Sequence, residues 1–306
     1  MRMKKISKAE TLRLAHVSKL YGEKRGVHDL SFTAKAGHII GILGTNGSGK
    51  TTTFRMLLGL IEKNSGHIYY GKQELDHQDK RLFGYLPEER SMLRDLSVKD
   101  QIAYLARLKR MERLEIEMAL DQWLAELKIE QYRSQRIIEL SKGNQQKVQV
   151  ICSLIHDPKI LIFDEPLNGL DLDNVILFKN LCLKLKQQGK TILISSHQYN
   201  NIEDLCDDVV YLSQGDCLFK GNLQQLKQRS AFRIFSLCND CAGDFIDEAG
   251  VISVSREGNW TTLKVESQQA ADRLTRKCLR NKITDFRCET VALQDLIREA
   301  LDGRAG

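Results

Sequence analysis

The run Gly44-Thr45-Asn46-Gly47-Ser48-Gly49-Lys50-Thr51-Thr52 contains the spacing G-x-x-x-x-G-K-[ST], which lets a loop wrap a polyphosphate. Its glycines allow consecutive backbone N–H groups to turn inward, and a helix opening at its end adds a positive dipole terminus. Lys50 would reach the β- and γ-phosphates, and the Thr51 hydroxyl would ligate Mg²⁺. A second cluster lies far along the chain, where the apolar run Ile160-Leu161-Ile162-Phe163 ends in Asp164 and Glu165. Beside a phosphate loop, Asp164 is placed to join the Mg²⁺ shell and Glu165 to polarise an attacking water as general base. His197 follows a third apolar run, Thr191 to Ser195, where an imidazole can donate to a γ-phosphate. Leu140-Ser141-Lys142-Gly143-Asn144 forms a polar turn at the head of a helix, a further anion-ready terminus. Taken alone, His197 reads as a structural histidine and the Ser141 turn as a routine cap.

Chemistry of this kind needs strands to end together. His38 to Leu43 reads as a buried strand before the loop and Thr52 to Leu60 as the helix after it. Residues 12–34 alternate as short strands. From Val98 to about Leu127 the period becomes helical (Ile102, Leu105, Leu108, Met111, Leu114, Met118, Trp123, Leu127), predicting a packed helical subdomain with Trp123 as a core anchor. Val148 to Ile155 reads as helix, Ile160 to Phe163 as strand, Val175 to Gln188 as helix and Thr191 to Ser195 as strand. That alternation predicts an α/β fold with a parallel sheet covered by helices.

The pattern loosens near Gln228 to Ser230. Beyond it, strands at 232–237, 251–255 and 261–265, a helix at 268–280, a segment at 283–288 and a helix at 291–301 describe a small α+β appendix. The domains are therefore expected at 1–230, with the helical subdomain at about 95–155, and at 231–306.

Bulk properties narrow the classes further. No window approaches the roughly 18 apolar residues of a membrane span. The basic start Met1-Arg2-Met3-Lys4-Lys5 is not followed by an apolar signal core, so any membrane role is expected to come through a partner. The net charge of +6 is scattered, and no nucleic-acid stripe emerges. Cys238-Asn-Asp-Cys241 is a lone C-x-x-C among eight cysteines, too little for a structural zinc site. Free thiols in a reducing cytosol account for the set.

In their order these segments resemble the ATP-binding subunits of ATP-binding-cassette (ABC) transporters, over about residues 12–225. Gly44 to Thr52 matches Walker A, Ile160 to Glu165 Walker B and Leu140 to Asn144 the LSGGQ signature. Asn168 to Asp171 matches the D-loop, and Ser196-His197 the switch histidine. Tyr21, in Lys19-Leu20-Tyr21-Gly22, matches the aromatic that stacks on adenine; its plainer alternative is a core tyrosine. Gly84-Tyr85-Leu86-Pro87-Glu88-Glu89-Arg90 and the stretch Leu140 to Gln149 are similar to the branch serving ABC-2-type exporters of sodium, drugs and peptides.

The resemblance implies a P-loop ATPase cassette that hydrolyses ATP with Mg²⁺. Two copies would close head to tail, with Ser141 and Gly143 of one acting on the ATP of the other, and Asn144 and Asp171 also counted among the nucleotide-binding residues. A separate transmembrane permease would hold the pair at the cytoplasmic face of the cell membrane, contacted through the Glu88 loop and helical subdomain. Departures stand out. Glu88 occupies the Q-loop position, where Gln is usual, and adds negative charge near Mg²⁺ and γ-phosphate. Lys142 and Asn144 replace a Gly and the Gln of the signature, and Asn168 stands where Ser is usual. A soluble, non-transport ABC ATPase and a regulatory subunit with little turnover are the competing readings.

Overall fold

A computed structural model describes residues 10–22, 24–75, 81–89 and 91–302. The basic run Met1 to Lys5, and Arg90 beside the Glu88 loop, lie outside the described residues. The first layer is antiparallel: β1 (Leu12–Tyr21) pairs with β2 (Lys24–Ala34) on one side and with a later strand on the other. The fully buried β3 (Ile39–Gly44) follows, then the phosphate loop and α1 (Lys50–Leu57). β4 (Ser65–Tyr70) and the two-residue β5 (Gln73–Glu74) finish the antiparallel sheet, ordered β2-β1-β4-β5. β6 (Phe83–Leu86) leads into the helical region of α2 (Val98–Leu108), α3 (Arg113–Glu126) and α4 (Lys142–Leu154). Then come β7 (Ile160–Phe163), α5 (Leu172–Gln187), β8 (Thr191–Ser196), β9 (Asp208–Ser213) and β10 (Asp216–Asn222).

β3, β6, β7, β8 and β9 form a parallel array in the sheet β10-β9-β3-β8-β7-β6. Their continuous apolar runs follow from burial on both faces. One face, with Ile40, Ile42, Ile160, Ile162 and Leu193, shares a core with Leu12, Leu14 and Phe32 of the antiparallel sheet and Phe54 and Met56 of α1. The β9–β10 hairpin turns through Gln214 and Gly215, both at positive φ (52° and 86°), the two-residue turn that suits strand twist.

The helical period from Val98 to Leu127 is interrupted. Arg110 takes a positive φ of 59° and ends α2, and Glu112 restarts the chain with a capping box to Glu115. Ile102, Ala106, Ile116, Leu120 and Leu124 are buried, whereas Leu108, Leu114 and Met118 are exposed and Trp123 is only half-buried. Trp123 is therefore not the core anchor expected. The phosphate-loop helix begins at Lys50 rather than Thr52, and the signature helix at Lys142 rather than Val148, because each opens on a polar turn that apolar periodicity does not mark.

The chain divides into two compact units between Lys220 and Gly221, ahead of the boundary expected after residue 230. In the second unit, α6 (Leu223–Arg229) is followed by Ser230, whose Oγ donates to Glu299 Oε1 at 3.2 Å. β11 (Arg233–Cys238), β12 (Val251–Glu257), β13 (Trp260–Val265) and β14 (Phe286–Thr290) form an antiparallel sheet ordered β12-β13-β11-β14. The last strand begins at Phe286, later than the 283–288 segment expected. α7 (Gln268–Arg280) covers the sheet with Ala270, Ala271, Leu274 and Cys278 packed on Phe235, Leu237, Leu263 and Val265, and α8 (Leu293–Asp302) closes the unit. This is a split β-α-β arrangement with short 3₁₀ turns in place of the first helix.

Candidate active site

Strand register brings the site together. Leu43 pairs with Ser196, Phe163 with Ile194, and Leu86 with Phe163. The phosphate loop, Asp164-Glu165, His197 and Glu88 therefore leave the carboxyl ends of four neighbouring parallel strands, where ligands collect in open α/β sheets. A cleft of about 480 Å³ is lined by Tyr21, Gly26, Asn46 to Thr52, Glu88 and Glu165.

The loop is fixed by its own backbone. Thr53 N donates to Gly49 O at 2.9 Å, and Gly49 itself stands at φ 110°. A methyl on Gly49 would meet the Gly26 carbonyl at 2.5 Å, so only glycine permits this approach. Lys50 is buried and donates from Nζ to the carbonyls of Gly44 (2.9 Å) and Thr45 (3.2 Å). Its Nζ also lies 3.5 Å from Glu165 Oε1.

Thr51 Oγ1 donates to Asp164 Oδ2 at 3.0 Å, and Ser195 Oγ donates to Asp164 Oδ1 at 2.7 Å. Burial pushes the Asp164 carboxyl above the ordinary aspartate range, while the hydroxyls of Ser195 and Thr51 pull the other way. Ser195 Oγ also accepts from Glu165 N at 2.7 Å, so one hydroxyl aligns both acids. Glu165 sits at φ 48°, a left-handed backbone that costs about 1–3 kcal/mol for a non-glycine residue. His197 Nδ1 lies 2.9 Å from Glu165 Oε2, and His197 N donates to the same oxygen at 3.4 Å.

The donor set fits ATP and Mg²⁺. Ser48 Oγ and Glu165 Oε1 are buried without hydrogen-bond partners on the wall of an anion-shaped loop. Beside them, Thr51 and Asp164 offer the hard oxygens that Mg²⁺ prefers.

Tyr21 is half-exposed at the end of β1 and lines the cleft, which answers the alternative of a core tyrosine. Glu88 is exposed at the shared wall of two clefts. The second, of about 510 Å³, is lined by Glu88, Glu89, Arg94, Lys142, Gln146, Glu165 and Asn168 among others. Ser141, Gly143, Asn144 and Asp171 do not line the phosphate cleft of their own chain. Ser141 caps α4, its Oγ accepting from Asn144 N at 3.3 Å, and Asp171 caps α5, Oδ1 accepting from Asn174 N at 2.9 Å.

Sequence reasoning missed several supports. Ser195 stands two residues before His197 at a strand end, a signal that was present. Gly26 packs so close to Tyr21 that a methyl there would meet the ring at 2.7 Å, and no local pattern marks it. Gln149 Nε2 donates to the carbonyls of Pro87 (3.3 Å) and Glu89 (3.1 Å), tying α4 to the Glu88 loop across 60 residues of sequence.

The chain matches the ABC transporter family over residues 27–168. It is similar to the ABC transporter ATP-binding protein YhaQ of Bacillus subtilis, 35% identical over 94% of this chain and 97% of that one. The lipopolysaccharide export system ATP-binding protein LptB of Escherichia coli is 33% identical over 71% of this chain and 93% of its own. Among solved structures, an ATP-binding subunit of an ABC transporter superposes with a TM-score of 0.66 at 28% identity, covering 71% of this chain and 92% of that one.

Proposed function

The chain belongs to the ABC transporter ATP-binding family, a family of ATPases, and from that premise we propose that it is the motor subunit of an exporter. One observation carries the reading. Lys50, Thr51 and Glu165 line one cleft, with Asp164 hydrogen-bonded to Thr51 and His197 against Glu165, while none of the signature turn Ser141 to Asn144 lines it or bonds to these groups in the same chain. Two half-sites on separate surfaces call for a second copy, so a head-to-tail homodimer supplies the signature and the Asp171 loop in trans.

In this reading the loop N–H groups, Lys50 and His197 hold the polyphosphate, and Tyr21 stacks on the adenine. Thr51 and Asp164 would hold Mg²⁺, with Glu88 nearby; when bound, the ion neutralises charge on the phosphate oxygens. Glu165 accepts a proton from the water that attacks the γ-phosphorus as the bond to the ADP oxygen breaks. His197 and Lys50 bracket that carboxylate and fix its direction. Additional donors arriving from the partner make closure depend on ATP, and hydrolysis releases it.

A transporter subunit needs a membrane partner, since no helix among the described residues is long and apolar enough to cross a membrane. Tyr104, Leu108, Leu114 and Met118 expose apolar surface on α2 and α3, which supports permease contact through the helical subdomain and Glu88 loop. The location is then the cytoplasmic face of the membrane. Export rather than import is supported by the likeness to LptB and by the sequences 84–90 and 140–149. The nucleotide domain is the first unit and the α+β appendix the second.

Affinity purification from native membranes in mild detergent tests the whole reading. The expected result is a stoichiometric multi-helix membrane protein that is lost when the Glu88 loop is altered. Recovery of this chain alone, or with ribosomes or DNA, would overturn it.

A further inference from the structure

The geometry points to Asn174 as a positioning residue that fastens the signature turn to the D-loop of the same chain. It rests on the reading above, in which both segments serve the partner's ATP. Asp171 Oδ1 accepts from Asn174 N, and Asp171 Oδ2 accepts from Asn174 Nδ2, each at 2.9 Å. Backbone N–H and side-chain amide thus bind the same carboxylate, so the amide is not the loose end of a flexible side chain. Gly143 presses on it from the other side: a methyl on Gly143 would lie 2.8 Å from Nδ2 and 3.6 Å from Cγ. Close approach of α4 to α5 therefore depends on glycine at 143 and on a short, flat side chain held in place at 174.

A second tie lies one helical turn along. Gln146 is buried, and its Nε2 donates to Pro166 O at 3.2 Å. The start of α4 is consequently hydrogen-bonded to one end of the Pro166–Asp171 loop and packed, through Gly143 on Asn174, against the other, directly after Glu165. Signature and D-loop move as one block, so a shift at the loop behind one catalytic carboxylate carries the signature turn that serves the other ATP. Helix capping does not need this side chain, because the cap bond uses the Asn174 backbone N–H. Among polar replacements, aspartate would keep the shape and set two carboxylates against each other.

The test uses the full chain with Asn174→Leu, Asn174→Asp, Asn174→Ala, Gly143→Ala and the double variant Gly143→Ala/Asn174→Ala. In Asn174→Leu, affinity for a non-hydrolysable ATP analogue should stay within about twofold while kcat falls about tenfold, the equivalent of about 1.4 kcal/mol. Asn174→Asp should fall further. The melting temperature should hardly move. Amides of residues 141–146 in the nucleotide-free chain should exchange hydrogen about tenfold faster. Gly143→Ala should lose turnover, and adding Asn174→Ala should cost nothing more, since the clash and the tie are the same contact. Unchanged exchange, or losses that multiply in the double variant, would overturn the positioning role. Ser141→Ala with full turnover would instead sink the signature reading, and the exchange result, taken without nucleotide, separates that failure from this one.

Discussion

In the phosphate cleft the groups assigned to catalysis in this proposal lie below the surface and are already held. Lys50 is 6% exposed, Asp164 1% and Glu165 8%, and each is aligned by hydroxyls, carbonyls or a neighbouring charge. At the signature turn the reverse holds. Ser141 and Lys142 are exposed, and among the described residues the Ser141 hydroxyl accepts only from the turn it caps. The cleft resembles an organised active site in which polar groups have been desolvated in advance. The turn is a helix N-terminus open to solvent, useful to an anion that must come from outside the chain. That contrast is why hydrolysis is expected to require association.

The largest effect is expected from the buried side. Glu165→Gln should reduce turnover about 10³-fold, within the range for loss of a general base, while ATP still binds. Because ATP is then held and not consumed, the variant should run as a dimer with ATP and as a monomer without it in sizing with light scattering. Normal hydrolysis would remove Glu165 from the role of base. A monomer in saturating ATP would break the link between the two regions.

Mixing addresses that link directly. Lys50→Ala disables the cleft and Ser141→Arg the turn, and each chain alone should be inactive. Mixed one to one, half the dimers would pair the two kinds, with both lesions at one interface site and an intact second site. Turnover should recover to about a quarter of the unmodified protein from random pairing. No recovery would mean that cleft and turn do not complete each other across an interface.

The same contrast explains what the sequence disclosed. Groups at the ends of parallel strands were legible because Gly44 to Thr51, Asp164-Glu165 and Ser196-His197 each follow a short apolar run, and such runs pair in register. The helical subdomain was legible only as helical. Periodicity counts apolar residues without saying what covers them, so the exposed Leu114 and Met118 were counted in the period while the buried Leu120 and Leu124 were not. Supports made across long sequence distances left no local trace. Gln149 on the Glu88 loop, Gly26 against Tyr21 and Asn174 against Gly143 are defined by contact and not by spacing. The left-handed backbone at Glu165 was equally invisible, since nothing in a glutamate predicts a positive φ.

A smaller effect is expected at the rim of the cleft. Tyr21 is 48% exposed, and its ring is flanked by Gly26 and by Lys19 Nζ at 5.5 Å from the centroid. Stacking of a base on an aromatic ring is worth about 1–3 kcal/mol, and a half-exposed ring belongs at the low end. Tyr21→Ala should therefore raise KM for ATP about fivefold and leave kcat unchanged. A fall in kcat with KM constant would place Tyr21 outside adenine binding.

Glu88 should give the smallest change, yet it is the residue the two regions share, lining the phosphate cleft and also the cleft that contains Lys142. The pairing of Leu86 with Phe163 starts the Glu88 loop and the Asp164-Glu165 pair from neighbouring strand ends, and Glu88 and Glu165 line the same cleft as Thr51. Two carboxylates act on the same neighbour: burial pushes the Tyr85 hydroxyl up to about 12, Asp164 and Glu88 add to the rise, and Arg55 opposes it. Glu88 itself is exposed, so solvent screens its charge and the effect of removing it stays small. Glu88→Gln keeps the side chain's length and one acceptor oxygen but takes away the negative charge. If that charge helps to hold Mg²⁺, the ion concentration needed for half-maximal ATPase activity should rise about two- to fivefold, with kcat changing by less than tenfold. Superimposable Mg²⁺ titrations and equal turnover would show that the charge is immaterial. Glu88 would then join the clefts by position alone, with Gln149 holding its loop in place.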